Sequence, residues 1–330
     1  MKHLRFDPDW RDDVLDLTVL DIPLIFPEDT SRNSGSGIWV QSKPERDEFV
    51  FGKHISHKSC RIVKYLLKRS DMIDYYSVKD SSGNIQPKDS AVYDAMFTPQ
   101  AWMTDSLQER CMVYAAAQRA HGKILVGGLG LALYPQFCFH LKRPIQSIII
   151  VEKEAAVIDL VMEPLRQNLD HEQLSRINVI EGTIEKFLQE SKDQFDTIYF
   201  DTWENIDPRF LASVNYLVEL AQPRCALDGQ IQCWGYAMMV DTFINHVEMF
   251  VKNKIDLTLY NLDPVLARFD EWLRQQDNII MIQETRKKKA RELAMTIAKP
   301  LEEYDLHRCF TPFARSYTEM YINMAKARKQ

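Results

Sequence analysis

Between residues 105 and 285 the chain alternates compact apolar runs with helix-forming segments, and no other feature restricts the fold as much. The runs are 123–126, 147–151, 177–180, 197–200, 230–234, 255–259 and 278–282. Most are continuous rather than period-two, as strands buried on both faces should be. Helical periodicity fills the gaps at 131–140, 155–168, 183–190, 208–221, 240–251 and 264–276. Parallel neighbours cannot be joined by a tight turn, so each pair needs a crossover, and a helix is the usual one. The pattern predicts an α/β domain over 105–285: a doubly wound, seven-stranded, mostly parallel sheet ending in an antiparallel hairpin.

The flanks differ. Residues 1–104 show no single period and predict a small α+β extension. In it, 29–37 has loop chemistry, 38–40 and 48–51 are strand-like, 60–67 is an amphipathic helix and 81–84 is a turn. Aspartates 12, 13 and 16 are spaced like the solvated face of a helix. Residues 286–330 predict a helical extension divided by Pro300 and Pro312. This stretch holds 11 Lys/Arg against 5 Asp/Glu, a charge of +6, while the rest of the chain carries −12. Such a tail either contacts an anionic partner such as nucleic acid or docks on its own acidic body. No apolar run approaches the roughly 20 residues that span a bilayer, so no membrane association is expected. The N-terminus lacks the apolar core of a secretory signal, and the 6 cysteines are scattered without a CxxC pair. The expectation is a reduced, cytoplasmic protein.

Only 11 of the 330 residues are glycine, about 3% where roughly 7% is usual. Three of them, Gly127, Gly128 and Gly130, cluster with Leu129 where the first strand of the alternation runs into a helix. Glycine lets backbone approach a ligand closely, and a helix N-terminus offers unpaired N–H groups; tight strand–helix packing would use the same residues. The second strand ends at Glu152, 22 residues after Gly130. An acid at that distance can accept two ribose hydroxyls, with Lys153 beside it; the competing reading is an acid favoured by a helix start. After the third strand, Gly182 leaves room for a planar base, and Thr183 either caps the next helix or donates to an adenine nitrogen. The fourth ends at Asp201, followed by Trp203 and Glu204, at the carboxyl edge where open α/β sheets bind ligands. Before the first strand, residues 103–109 start a helix, with Thr104 or Asp105 as its cap and Gln108 placed as in a capping box.

Together these strand ends resemble class I S-adenosylmethionine-dependent methyltransferases, and within that superfamily the spermidine synthase-like branch. The resemblance covers about half of the chain. It implies S-adenosylmethionine as cofactor, with the methionine moiety near Asp105 and Gly127–Gly130, the ribose at Glu152 and Lys153, and the adenine at Gly182 and Thr183. It also implies Asp201 as both a cofactor contact and the catalytic base, and Trp203 and Glu204 facing a small-molecule or peptide acceptor. Val126 stands where an acid is common in the superfamily, and Ala132 where a third glycine is usual. Aminopropyltransferases carry an aspartate after the glycine triplet; Leu131 occupies that place and cannot bind an ammonium. Aminopropyl transfer, a non-catalytic scaffold that kept the pocket, and a nucleotide-dependent oxidoreductase are the alternatives. The last suffers from Leu133 at the final glycine position of G-x-G-x-x-G. His54, His57 and Cys60 have no visible fourth ligand, so no metal is expected. The two extensions are expected to shape the acceptor site or a homodimer contact.

Overall fold

The computed structural model describes residues 5–16, 18, 19, 22, 24, 34–40, 54–57, 60–66, 77–79, 85–87, 101–105, 107–203, 205–260, 262–276 and 282–304. The chain divides into two units, one made of residues 1–204 and 220–235, the other of 205–219 and 236–330.

The first unit opens with strands β1 (Ser34–Val40), β2 (His54–His57), β3 (Cys60–Leu66), β4 (Ser77–Lys79), β5 (Ile85–Pro87) and β6 (Ala101–Thr104). A four-stranded sheet runs in the order β2-β3-β1-β6, and β4 pairs with β5. Within segment 60–67, expected as a helix, residues 60–66 form strand β3, antiparallel to β1 with Ile62 opposite Ile38. Its β-branched Ile62 and Val63 beside Tyr65 favour a pleated surface over a helical one. Residues 34–37, expected as loop, belong to β1. The turn at 81–84 and the strand at 48–51 lie outside the described residues.

Helix α1 (Leu107–Arg119) leads into the main sheet of β7 (Gly122–Gly127), β8 (Ile145–Glu152), β9 (Ile177–Glu181), β10 (Phe195–Phe200) and β11 (Cys225–Cys233). Residues 103 and 104, expected to begin that helix, end strand β6 instead. Crossovers run through α2 (Leu133–His140), α3 (Ala155–Asn168), the short α4 (His171–Ser175) and α5 (Ile184–Glu190). The strand order is β11-β10-β7-β8-β9, with every neighbour parallel. Chain order reverses between β7 and β10, which creates a switch point at the carboxyl edge. Ile124, Leu125, Val126, Ile198, Tyr199 and Phe200 are each 2% exposed or less, consistent with layers on both faces.

The described residues thus show a parallel sheet of five strands. Of the two further strands expected, 255–259 is overturned: Leu257–Tyr260 is a 3-10 turn. Asp256 is the reason, because its carboxylate accepts from both the N–H and the hydroxyl of Thr258 and holds the chain in a local turn. Residues 278–281 lie outside the described residues. Aspartate 12 is also corrected: residues 10–16 are irregular, not helical, and Asp12 is 1% exposed. Phe6 makes a parallel bridge to Ile231, and the Arg5 carbonyl accepts from the Ile231 N–H at 2.6 Å, so this N-terminal strap lines the edge of β11. Arg119 stacks 4.7 Å over the Trp10 ring and the Cys111 thiol takes the Asp16 N–H at 3.2 Å, fixing the strap further.

The second unit holds most of α6 (Leu211–Ala221), and all of α7 (Tyr236–Asn253), α8 (Pro264–Arg274) and α9 (Gln283–Thr296). The Asn215 amide donates to the Ala294 and Ile297 carbonyls at 2.8 Å each and ties α6 to the end of α9. Helix α9 carries the basic run. Arg286 forms a two-pronged pair with Glu248, Lys289 pairs with Glu292 and Arg291 with Asp241, so acids of the same unit answer much of that charge. Among the described residues no helix is long and apolar enough to cross a membrane.

Candidate functional site

Register brings five strand ends into line. Gly127 pairs with Val151 on one side and Phe200 on the other, Glu152 pairs with Glu181, and Phe200 pairs with Cys233. The residues that follow, Gly128–Gly130, Gly182–Thr183, Asp201 and Trp234–Gly235, therefore border one carboxyl edge.

Gly128 is fixed by the chain itself. Its φ is +92°, its N–H donates to the Val151 carbonyl at 2.9 Å, and a Cβ there would lie 2.3 Å from the Asp201 carbonyl oxygen. Glycine at this position is required to let two strand ends touch. Leu129, 4% exposed, sends its side chain into the core while its N–H donates to Glu152 Oε2 at 2.9 Å. Glu152 Oε1 accepts from the Glu154 N–H at 2.9 Å. Both carboxylate oxygens thus hold backbone, and Glu152 is buried among the loop, β8 and the start of α3. Ala132 precedes α2 in the left-handed region, φ 55°, where glycine is at home. Gly130 also has positive φ.

Gly182 differs from Gly128, because a Cβ there would meet nothing within 4 Å. The open space lies beside Glu181 and Thr183, both exposed, and Thr183 acts as the N-cap of α5, accepting from the Lys186 N–H. Lys153 is exposed. Asp105 is 4% exposed and paired with Arg110, whose guanidinium donates to its carboxylate and its carbonyl at 2.8 Å each. It starts no helix; the first helical residue is Leu107. Gln108 is 6% exposed, and its Oε1 has no hydrogen-bond partner among the described residues.

Asp201 receives the Tyr199 hydroxyl at 3.3 Å on Oδ2. Desolvation pushes its carboxyl from 3.8 up to about 7; the Tyr199 bond opposes this, and the negative charges of Asp12 and Glu152 add to it. Tyr199 is buried and stacks on Tyr134, with ring centroids 4.2 Å apart, so its hydroxyl is held in place. Trp203 is 6% exposed. Glu204 lies outside the described residues.

The sequence pattern missed Asp12. Its Oδ2 accepts from the Gly235 N–H at 2.7 Å, and burial pushes its carboxyl from 3.8 up to about 7. No local pattern could have found it, since its partner is 223 residues away. The edge therefore carries two carboxyls, Asp201 at the end of β10 and Asp12 held by Gly235 past the end of β11, each able to gain or lose a proton near neutrality. That is the property required of a general base or of a group that orients a nucleophile.

No protein-family profile matches the chain, and no curated protein matches it. Partial likenesses to solved structures exist. An SAH-bound methyltransferase of Podospora anserina is 17% identical, with 58% of this chain and 67% of that one covered at a TM-score of 0.30. The DhpI–SAH complex is 14% identical over 38% of this chain and 55% of that one, TM-score 0.28. The Trypanosoma brucei PRMT1 enzyme–prozyme complex with AdoHcy is 21% identical over 37% of each chain, TM-score 0.27. The chain spans between 55% and 67% of the length of the first two of these proteins.

Proposed function

We propose that the chain is an S-adenosylmethionine-dependent methyltransferase acting on a small-molecule or peptide acceptor. The observation that carries this reading is the register that aligns Gly127–Gly130, Glu152, Gly182–Thr183 and Asp201 along one carboxyl edge, at the switch point of a parallel sheet.

The residues fit such a cofactor. Open space at Gly182 suits a flat base, and the buried, unpartnered Gln108 Oε1 suits an ammonium donor. Glu152 is spoken for by two N–H groups, but each carboxylate oxygen retains further acceptor capacity for ribose hydroxyls. When bound, the cofactor supplies an electrophilic methyl group on a positively charged sulfur. The chain's part is to align the nucleophile, exclude water and accept a proton. Asp201 takes that proton, and Tyr199 holds its carboxylate in one orientation. Buried Leu131 offers no carboxylate to an aminopropyl ammonium, which argues against aminopropyl transfer.

Isothermal calorimetry of the full chain tests the reading. Binding of S-adenosylmethionine and S-adenosylhomocysteine at micromolar concentration is expected, as is weakening by Glu152→Ala. No heat at millimolar cofactor would overturn it.

A further inference from the structure

The edge that carries Asp201 has more buried polar atoms than its own hydrogen bonds satisfy. Asp12 is 1% exposed; its Oδ2 holds Gly235 and its Oδ1 has no hydrogen-bond partner among the described residues. Two residues past Asp201, Trp203 is 6% exposed, and its indole Nε1 is also without a partner. Immediately before Gly235, Trp234 is 8% exposed, and its Nε1 is likewise unpartnered. All four residues flank one pair of neighbouring strand ends, since Phe200 pairs with Cys233 and the Trp234 N–H donates to the Phe200 carbonyl at 3.0 Å. Native proteins rarely leave such atoms unmatched, so this collection asks for a ligand.

The inventory also specifies the ligand. An ionised carboxylate oxygen needs a donor; an indole N–H needs an acceptor. An ammonium group could serve the carboxylate but gives an indole nothing. An uncharged amine has one lone pair, which an indole would occupy and so withhold from attack. A hydroxyl serves a carboxylate and one of the two indoles together and still keeps a lone pair. Its proton goes to a carboxylate, one lone pair accepts from an indole, and the other remains to act as nucleophile.

We propose that Asp12 is part of the acceptor site, and that with Asp201 and the Trp203 and Trp234 indoles it selects an acceptor bearing a hydroxyl group. The proposal rests on the methyltransferase reading and names the substrate class of that same site. In the transfer, the oxygen–methyl bond forms as the sulfur–methyl bond breaks and sulfur keeps the electron pair. The hydroxyl proton, accepted by the unpartnered Asp12 Oδ1, passes to the Asp12–Asp201 carboxylate pair, while an indole N–H holds the oxygen in line. Both carboxyls are poised near neutrality, so the pair can carry one proton without leaving two bare charges in a dry site.

The test uses the full chain with nitrogen-15 on its tryptophans, with and without saturating S-adenosylhomocysteine. Phenol is the probe, aniline the amine counterpart and toluene the shape control. Phenol should shift the indole N–H signals of Trp203 and Trp234, identified by Trp203→Phe and Trp234→Phe. Aniline and toluene should shift them far less. Asp12→Asn keeps an oxygen for the Gly235 N–H but cannot take a proton; it should weaken phenol binding about tenfold, the scale of one charge-assisted hydrogen bond. Trp234→Phe should weaken it too, and Asp13→Asn should leave it unchanged. Unmoved indoles, an equal response to aniline, or wild-type phenol affinity in Asp12→Asn would overturn the proposal. Failure of S-adenosylhomocysteine to give heat in calorimetry strikes the methyltransferase reading instead, because the phenol titration without cofactor still reports on Asp12.

Discussion

Glu152 and Leu129 are joined by a 2.9 Å hydrogen bond from the backbone N–H of one to the carboxylate of the other, and the second Glu152 oxygen takes the Glu154 N–H. One side chain thereby ties the turn after β7 to the end of β8 and the entry to α3. Glu152→Ala strips an acceptor from two N–H groups and should cost about 2–3 kcal/mol in urea denaturation. Glu152→Gln keeps one oxygen and should fall between wild type and Ala.

Gly128→Ala meets two obstacles at once. The new methyl would sit 2.3 Å from the Asp201 carbonyl, and the backbone is at φ +92°. Strand ends must separate to admit it. A loss of roughly 2–4 kcal/mol is expected by chemical denaturation, in the upper range for backbone and overpacking effects.

Ala132 offers the opposite case. It occupies a left-handed conformation, φ 55°, that costs a residue with a Cβ about 1 kcal/mol or more. Ala132→Gly removes that strain, and greater freedom of the unfolded chain offsets part of the gain. A net stabilisation of about 0.5 kcal/mol, seen as a rise in Tm, is expected.

The pH dependence of stability should carry the signature of Asp12. Its folded carboxyl lies at about 7, above the unfolded 3.8, so between those values the folded state binds more protons than the unfolded one. Its contribution is therefore most favourable below pH 4, declines as pH rises from 4 to 7, and is level above that. Asp201 acts in the same direction. Asp12→Asn removes one such slope. The change in unfolding free energy between pH 4.5 and pH 7.5 should shrink by roughly 2–4 kcal/mol relative to wild type, from about 1.36 kcal/mol per pKa unit. An unchanged slope would show that Asp12 ionises as freely folded as unfolded.

The sheet was legible in the sequence because continuous apolar runs such as 124–126 and 148–151 encode burial on both faces locally. Helix α3 was legible to the residue because its apolar positions recur at helical spacing. Strand β3 was misread because a short run with Ile62, Val63, Tyr65 and Leu66 satisfies helical and extended templates alike, and only pairing with β1 decides. At the site, local motifs exposed Gly127–Gly130, Glu152, Gly182 and Asp201 but not their partners. That Gly128 serves the Asp201 backbone, or that Arg110 takes Asp105, depends on strand register and burial. Asp12 was invisible for a stronger reason, since a carboxylate in an acidic, irregular stretch has the pattern of a solvated residue until a distant strand end covers it.

The strap along β11 has a consequence for assembly. Residues 5–12 are synthesised long before 225–235, yet the Arg5–Ile231 and Asp12–Gly235 bonds need both. Closing a loop of 223 residues carries an entropic penalty that only a nearly finished sheet can repay. One edge of β11 should therefore stay open, and able to pair with a foreign strand, until the strap returns. Folding of this unit would then finish with residues made well before β11, with Asp12 as a late arrival that completes both the edge and the carboxylate pair.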